Sequence, residues 1–516
     1  MKNILIAIRS IFKKGRHNVM KIVSLGIGLA VGLVLIAKVY FEQSYDDFYP
    51  DRDRVYQVWA KYQQNGGELK EYPQTSGGIA PTMQQQIPEI ETVTRYTSFG
   101  DWTFTMTDTK MKYSGRCIIA DSCFFDILPR PMLIGNAKEV LSTPMYVLIS
   151  SRIAKNIGGD VIGKNFTVDS SPGRTMTIGG VFEEVPENSH SRYDVIVSMA
   201  SAGRFMWEGS PTNMLGNDRY ISYVKLHKGV NPLALEEQVR TFVNSYFPPE
   251  EQQKVGLSID FSFHKLDNLH KELPQVKRMT WILSLLAFAL IFTAVMNYIL
   301  IVISSIVNRS KEVAVHKCYG ASENNIHGMM FGEALVHIVL SLILALLLIL
   351  AFRGTVEELL ATSLDSLLLS NGSLVLLGIC ILVFFVSGFM PGSLYARIPV
   401  ASAFRNYREN KRIWKKALLL VQFVATGFLV TMLVFVARQY TFMVNDRPGY
   451  AYENLAYCGL AGVDSTSRAK ILDEVMRLPG VVAATTVYQL PFEHPVIIFF
   501  YRVRLRSFLI SPISIG

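Results

Sequence analysis

The sequence predicts a membrane protein: an α-helical transmembrane bundle with a large α+β extracytoplasmic domain. Three observations predict it. The apolar residues come in blocks, and one block, WILSLLAFALIFTAVMNYILIVISSIV at residues 281–307, contains no charged side chain. About 20 apolar residues already cross a hydrocarbon core. A polar block from Glu42 to Lys277 follows the first apolar run, and it is large enough for one folded domain or two small ones. The basic residues gather beside particular runs, which orients the chain across the bilayer.

Before the first run, Ile4, Leu5, Ile8, Ile11 and Phe12 recur at helical spacing opposite Arg9, Lys13 and Lys14. Residues 1–21 therefore read as an amphipathic helix on the inner membrane face. Residues 22–41 read as the first span. Their apolar part is too long for a signal peptide, and no small-x-small cleavage site precedes Phe41, so this is a retained anchor. Gly28 and Gly32 form a GxxxG pair that allows close helix approach.

Residues 42–277 mix strand and helix signals, which makes an α+β domain. DRVYQVWAKY alternates like a strand. GGIAPTMQQQIPEIETVTRY reads as a short helix ended by Pro88, then a strand. MYVLISSRIAKNIGG reads as a strand entering a helix that stops at Gly158–Gly159. FTVDSSPGRTMTIGGVFEEVP reads as a hairpin turning at Ser171–Gly173. Residues 219–226 are a strand and 232–247 a helix.

Three further spans lie at about 281–305, 331–352 and 373–391. A cytoplasmic linker at 392–416 leads to a fifth span at 417–437. Beyond it, EVMRLPGVVAATTVYQLP repeats the pattern of MQQQIPEIETVTRY at a similar distance past a span. Residues 438–516 thus read as the start of a second, incomplete extracytoplasmic domain. From about Val496 the tail no longer resembles its counterpart, and it reads as a truncation or a shifted frame.

The chain is 50% hydrophobic with a net charge of +9, and its mean hydropathy is +0.26. Lys2, Arg9, Lys13, Lys14, Arg16 and Lys21 precede the first span. Arg309, Lys311 and Lys317 lie between the second and third. Arg397, Arg405, Arg408, Lys411, Arg412, Lys415 and Lys416 lie between the fourth and fifth. Between the third and fourth, Arg353 stands beside Glu357, Glu358 and Asp365. The positive-inside rule then makes the N-terminus cytoplasmic and places 42–277 outside. The basic excess meets anionic headgroups of membrane lipids. No nucleic-acid partner is expected, because no basic patch alternates with aromatics in a soluble block.

Motifs for chemistry are weak. GGDVIGKN at 158–165 approaches a P-loop, but Asn165 stands where Ser or Thr should hold magnesium, and a helix precedes the segment where a strand should. The histidines are dispersed, with no HExxH and no CxxC, so no metal site is expected. No GxSxG and no nucleophile–base pair occurs; the chain is read as having no catalytic residues and no cofactor. The five cysteines make no disulfide framework. Cys117, Cys123 and Cys458 face the oxidising side, where a Cys117–Cys123 bridge is one option.

The segment between spans two and three, 308–322, carries more. In SKEVAVHKCYGAS, Val313, Val315 and Tyr319 are expected to dock while Arg309, Glu312 and Lys317 stay polar, and Gly320 is placed to end the helix. Glu333 and His337 sit four apart on one helix face at the start of the third span. Glu333 reads as a polar contact that transmits motion, and His337 as a side chain snorkelling to the cytoplasmic interface. Asn297, mid-span in the second helix, is expected to bind a neighbouring helix. A secondary transporter would instead show paired ionisable residues near the midplane of several spans, and none is found.

These residues resemble a known family, the FtsX/MacB-like ABC transporter permeases, of eight-span, two-copy type. The resemblance rests on NYILIVISSIVNRSKEVAVHKCYGAS followed by FGEAL, supported by DRDRVYQV, VIGKNFTV, GVFEEVPENSHSRYDVIVS and KALLLVQFVATG. It covers essentially residues 1–490. His316 replaces a more usual Arg, and Cys318–Tyr319 are less typical. The resemblance implies a FtsX-like permease domain at 281–391, a MacB-type periplasmic core at 42–277, and a bacterial inner membrane location. It implies a coupling helix seated on a separate cytoplasmic ATP-binding cassette ATPase, which binds the ATP. Arg309, Glu312, Val315, Lys317 and Gly320 would meet that ATPase, with Glu333 and Asn297 as the transmembrane lever and Gly28 and Gly32 as packing points. Expected functions are export or release of periplasmic cargo such as an antimicrobial, peptide or lipoprotein. The rival reading is a non-transporting mechanotransmission protein that controls a cell-envelope enzyme. A second permease copy or a periplasmic adaptor is a further partner of this class.

Overall fold

The computed structural model describes residues 17–168, 171–216, 218–368, 372–396, 413–445, 455–460, 465–487 and 498–503. The chain forms two compact units. One comprises residues 1–53, 186–190 and 265–441; the other comprises 54–185, 191–264 and 442–516.

Helix α1 runs from Asn18 to Gln43. It absorbs Lys21, which the sequence reading left outside the first span; residues 1–16 of the expected amphipathic helix lie outside the described residues. The strands of the second unit are β1 (Val55–Gln64), β2 (Leu69–Tyr72), β3 (Ile90–Met106), β4 (Lys112–Ala120), β5 (Met132–Ile134), β6 (Tyr146–Ser150), β7 (Asn165–Val168), β8 (Ser171–Phe182), β9 (Val195–Ser198), β10 (Ile221–Leu226) and β11 (Leu257–Lys265). Its principal helices are α2 (Ile79–Gln86), α3 (Ser151–Ile157) and α4 (Glu236–Tyr246).

These strands make an 11-stranded mixed sheet in the order β11-β1-β10-β3-β4-β9-β6-β8-β5, with β2 on β1 and β7 joining β3 to β8. That joint closes β3-β4-β9-β6-β8-β7 into a ring. All its pairs are antiparallel except β4 with β9 and β6 with β8. The ring interior is filled by Phe104, Cys117, Ile119, Val147, Ile149, Phe166, Met176 and Val197. A second core lies where α2 and α4 cover β1 and β10, with Met83, Val239 and Phe242 against Val58 and Val224. The long β3 serves both: Ile90–Tyr96 pair with β10, and Tyr96–Thr105 with β4.

Local chemistry explains the elements. Ser150 caps α3 by accepting from the Ile153 N–H, and Gly158 at φ 75° ends it. In α4, Val239, Phe242 and Val243 are the buried stripe at helical spacing. The hairpin of β7 and β8 is antiparallel, with Val168 opposite Ser171. The expected turn residues Ser171–Gly173 lie in β8, and residues 169–170 are outside the described residues.

The first unit is helical: α5 (Pro274–Ser304), α6 (Ile306–Cys318), α7 (Glu323–Ala351), α8 (Arg353–Leu360), α9 (Ser373–Ala396) and α10 (Ile413–Asn445). Among the described residues, five helices are long and apolar enough to cross a membrane: Asn18–Gln43, Pro274–Ser304, Glu323–Ala351, Ser373–Ser393 and Leu419–Asn445. Each matches an expected span and most extend beyond it, so the expected linker at 392–416 is partly helical; its middle lies outside the described residues. Residues 42–53 and 265–277 group with the helices rather than with the α+β unit.

Past α10, β12 (Leu455–Gly459), α11 (Ser465–Met476) and β13 (Val481–Val487) repeat the order β1, α2, β3. The strand β14 (Ile498–Val503) lies between β12 and β13, antiparallel to both, as β10 lies between β1 and β3. The tail was expected to leave the repeat pattern near Val496; of it, residues 498–503 are described, and they hold a place between β12 and β13 like that of β10.

Candidate functional site

The site is an elbow and the helices that leave it. The break between α5 and α6 falls at Ser305, whose hydroxyl donates to the Val302 carbonyl at 2.6 Å. Tyr395 of α9, fully buried, lies 3.2 Å from the Ser305 hydroxyl and donates to the same Val302 carbonyl at 3.2 Å. The bend is thereby fastened to the fourth span.

Helix α6 has two faces. Ser310, Val313 and Ala314 are buried, and Val313 and Ala314 belong to the core shared by the spanning helices. Lys311, Val315, His316, Cys318 and Tyr319 are exposed, Tyr319 at 89%. Val315 and Tyr319 are open as the sequence reading expected. Val313 is not: spacing alone did not tell which apolar residues the permease keeps for its own core. Glu312 and Lys317 are half-buried. Arg309 lies in α6, and its side chain is outside the described residues. Lys311 and His316 were missed as face residues. The 311–315–319 spacing, four residues per step, was the signal available for Lys311.

The helix stops as expected at Gly320, which has φ 85°. The Gly320 N–H donates to Lys317 O at 3.0 Å and the Ala321 N–H to His316 O at 3.0 Å, the paired bonds of a Schellman motif. Ser322 then caps α7, accepting from the Asn325 N–H at 3.4 Å. Only Gly320 and Ala321 separate the C-cap Tyr319 from the N-cap Ser322, so α6 is joined to α7 with little slack.

Within the helices, Glu333 of α7 is buried and lies 3.8 Å from the Lys21 ammonium of α1, itself fully buried. Lys21 Nζ also donates to Asn18 Oδ1 at 3.2 Å. His337 is 1% exposed, with Nδ1 at 3.1 Å from the Tyr298 hydroxyl of α5. The expected snorkelling of His337 is therefore corrected: a hydroxyl partner on α5 satisfies the ring inside the bundle. Asn297 accepts a hydrogen bond from Gln422 Nε2 of α10, a neighbouring helix as expected.

Gly28 and Gly32 face α5. A Cβ on Gly28 would collide with Ala294, and one on Gly32 with Ile291. On another face of α1, the Ser341 hydroxyl of α7 donates to the Ile22 carbonyl at 3.0 Å. Helix α1, about 39 Å long at 1.5 Å per residue, is thus a rod clamped between α5 and α7. Its far end carries Lys38, which pairs with Glu42 at 2.7 Å and donates to Thr362 at 2.8 Å. Glu42 lies 2.6 Å from His270, whose ring stacks on Tyr45.

In the α+β unit, Cys117 and Cys123 are free thiols. Burial pushes both thiols up, and the Cys123 thiol instead donates to Val93 O at 3.0 Å. The bridge considered from sequence is absent because Cys117 points into the ring core while Cys123 leads into the helix after β4. Gly158, Gly159 and Gly163 of the P-loop-like segment form the turns between α3 and β7. Among the described residues there is no group of three metal-ligating side chains.

Two family models match the chain. The MacB-like periplasmic core domain matches residues 20–242, and the FtsX-like permease C-terminal matches residues 284–400. Following one another without overlap, they define a membrane permease with a periplasmic domain. The chain belongs to the FtsX/MacB-like permease family. Solved structures similar to it include a domain of a protein from Porphyromonas gingivalis described as a permease, 32% identical, covering 42% of this chain and 91% of that one, with a TM-score of 0.39. Another is the periplasmic region of MacB from Actinobacillus actinomycetemcomitans, 14% identical, covering 42% of this chain and 91% of that one, with a TM-score of 0.30. No curated protein matches the chain.

Proposed function

We propose that the chain is the transmembrane subunit of an ATP-binding cassette system. Helix α6 seats on a separate cytoplasmic ATPase, which binds the ATP, and the spanning helices carry the resulting motion to the periplasmic domain. The charge distribution supports a cytoplasmic N-terminus and a cytoplasmic α6, and the family membership supports a bacterial inner membrane. Lipid acyl chains cover the exposed apolar faces, α10 above all, where Leu420, Phe423, Leu433 and Phe435 are exposed.

One observation carries this reading. Helix α6 is stopped at both ends by specific bonds, buries one face in the bundle, and leaves Lys311, Val315, His316 and Tyr319 open. Such a helix transmits force because pressure on the open face has no slack to take up at either cap. Glu312 and Lys317, half-buried at the edges of that face, orient the partner, and Arg309 precedes them. Glu333 and Asn297 then tie the moving helices to α1 and α10. The output is export or release of a periplasmic cargo such as an antimicrobial, peptide or lipoprotein.

Co-expression with a candidate ATP-binding cassette ATPase tests this. Val315→Asp with Tyr319→Asp, and charge reversal at Glu312 and Lys317, are expected to abolish co-purification and permease-stimulated ATP hydrolysis. Full retention of both would overturn the assignment of α6.

A further inference from the structure

Residues 187–190, Glu-Asn-Ser-His, lie in sequence between β8 and β9 of the α+β unit, yet they pack with the helical unit. They are bound there by named groups. Asn188 Nδ2 donates to the Ser44 carbonyl at 2.7 Å, just past the end of α1. The Asn188 carbonyl accepts from the Asp46 N–H at 2.9 Å. Ser189 Oγ and the His190 N–H donate to Asp46 Oδ1 at 3.0 and 3.3 Å, and His190 Nδ1 lies 2.6 Å from Asp46 Oδ2. Glu187 Oε2 accepts from the Ser363 N–H at 3.0 Å, in the connection between the third and fourth spans.

Asp46 is fully buried and held at φ 60°. A left-handed, buried carboxylate carries strain and a desolvation cost. Its surroundings offset both, since its two oxygens meet three groups of this one segment. Neither the elbow nor the lever accounts for so complete a receptor at the opposite end of α1.

We propose that Glu187–His190 is a coupling strap. It grips the end of α1 at Ser44 and Asp46 and the connection at Ser363, and residues 183–186 and 191–194 lead from it to β8 on one side and β9 on the other. Both strands belong to the closed ring. A displacement of the end of α1 is therefore delivered into the ring through the strap as well as through the chain that leads from α1 to β1. Asn188, Ser189 and Asp46 are positioning residues for this transmission. The inference rests on the reading of the chain as a mechanical permease.

The test uses the full chain in complex with its ATPase in lipid nanodiscs. Spin labels at exposed Asp108 and Leu359 report the ATP-driven change in their separation by pulsed electron resonance. Ser44→Cys with Asn188→Cys removes the Asn188 side-chain bonds to Ser44 when reduced and replaces them with a disulfide when oxidised. The reduced form is expected to hydrolyse ATP as the unmodified chain does while its ATP-driven change falls at least twofold, and oxidation is expected to bring the change back. Equal changes in the reduced, oxidised and unmodified forms would overturn the strap. Absence of any ATP-driven change in the unmodified chain would overturn the transmission reading itself, and the strap with it.

Discussion

The buried pair of Lys21 and Glu333 sets the sharpest test of the lever. The two charges stand 3.8 Å apart, with side chains 1% and 9% exposed. At an effective dielectric of about 20 their attraction is about 4 kcal/mol. Desolvation opposes it, so the pair contributes less than this in net terms. Removing one partner is different, because the surviving charge keeps its desolvation cost and loses that compensation. Glu333→Gln or Lys21→Met alone is expected to destabilise α1 against α7 by roughly 3 kcal/mol, within the range for broken buried pairs. The double substitution Lys21→Met with Glu333→Leu leaves no stranded charge and is expected to recover most of that loss. Steric-trap unfolding in bicelles, run as a double-mutant cycle, reads these values. A coupling energy near zero, or single variants as stable as the parent, would refute the reasoning.

Packing, capping and charge give three further predictions. Gly28→Leu drives a side chain into Ala294; separation of α1 from α5 costs stability of about 1–3 kcal/mol, visible in the same steric-trap assay. Gly320→Ala places a Cβ at φ 85°, costing about 1 kcal/mol, and it should speed hydrogen exchange at the amides of residues 320 and 321. Beside α5, burial pushes the Asp267 carboxyl up, but the hydrogen bond and charge of Lys271 and the charge of Arg52 outweigh it and hold it below its ordinary value. Burial likewise pushes the Lys271 ammonium down, and Asp267 and Asp47 outweigh it, so it stands above its ordinary value. Stability from this cluster is therefore fully present between about pH 4 and pH 10. It is lost as pH falls through the lowered Asp267 value or rises through the raised Lys271 value. Thermal unfolding of the unmodified chain and of Asp267→Asn should differ above about pH 4 and converge as pH falls below it.

The spans were legible because a bilayer imposes its demand on each segment separately. Trp281–Val307 would read as a span whatever it packed against. The stop at Gly320 was legible for a similar reason, since a left-handed residue is a local requirement. The faces of α6 were not. Val313 and Val315 are the same residue type two positions apart, and which one enters the core depends on where α9 and α7 lie. His337 gave no local sign of Tyr298, which comes from another helix. The receptor at Asp46 was likewise hidden, although the segment ENSHSRYD was noted for its resemblance, because its partners lie on distant stretches of chain.

By itself the sequence determined which segments are long and apolar enough to span a membrane, where α6 stops and which family supplies the plan. Each of these follows from local length, composition or backbone geometry. Only the tertiary structure decided that Lys21 meets Glu333, that β3, β4, β9, β6, β8 and β7 close into a ring, and that residues 187–190, between β8 and β9, hold the end of α1. Those outcomes turn on pairing energies between remote groups, which take effect only once the folded chain has excluded water and brought the groups together.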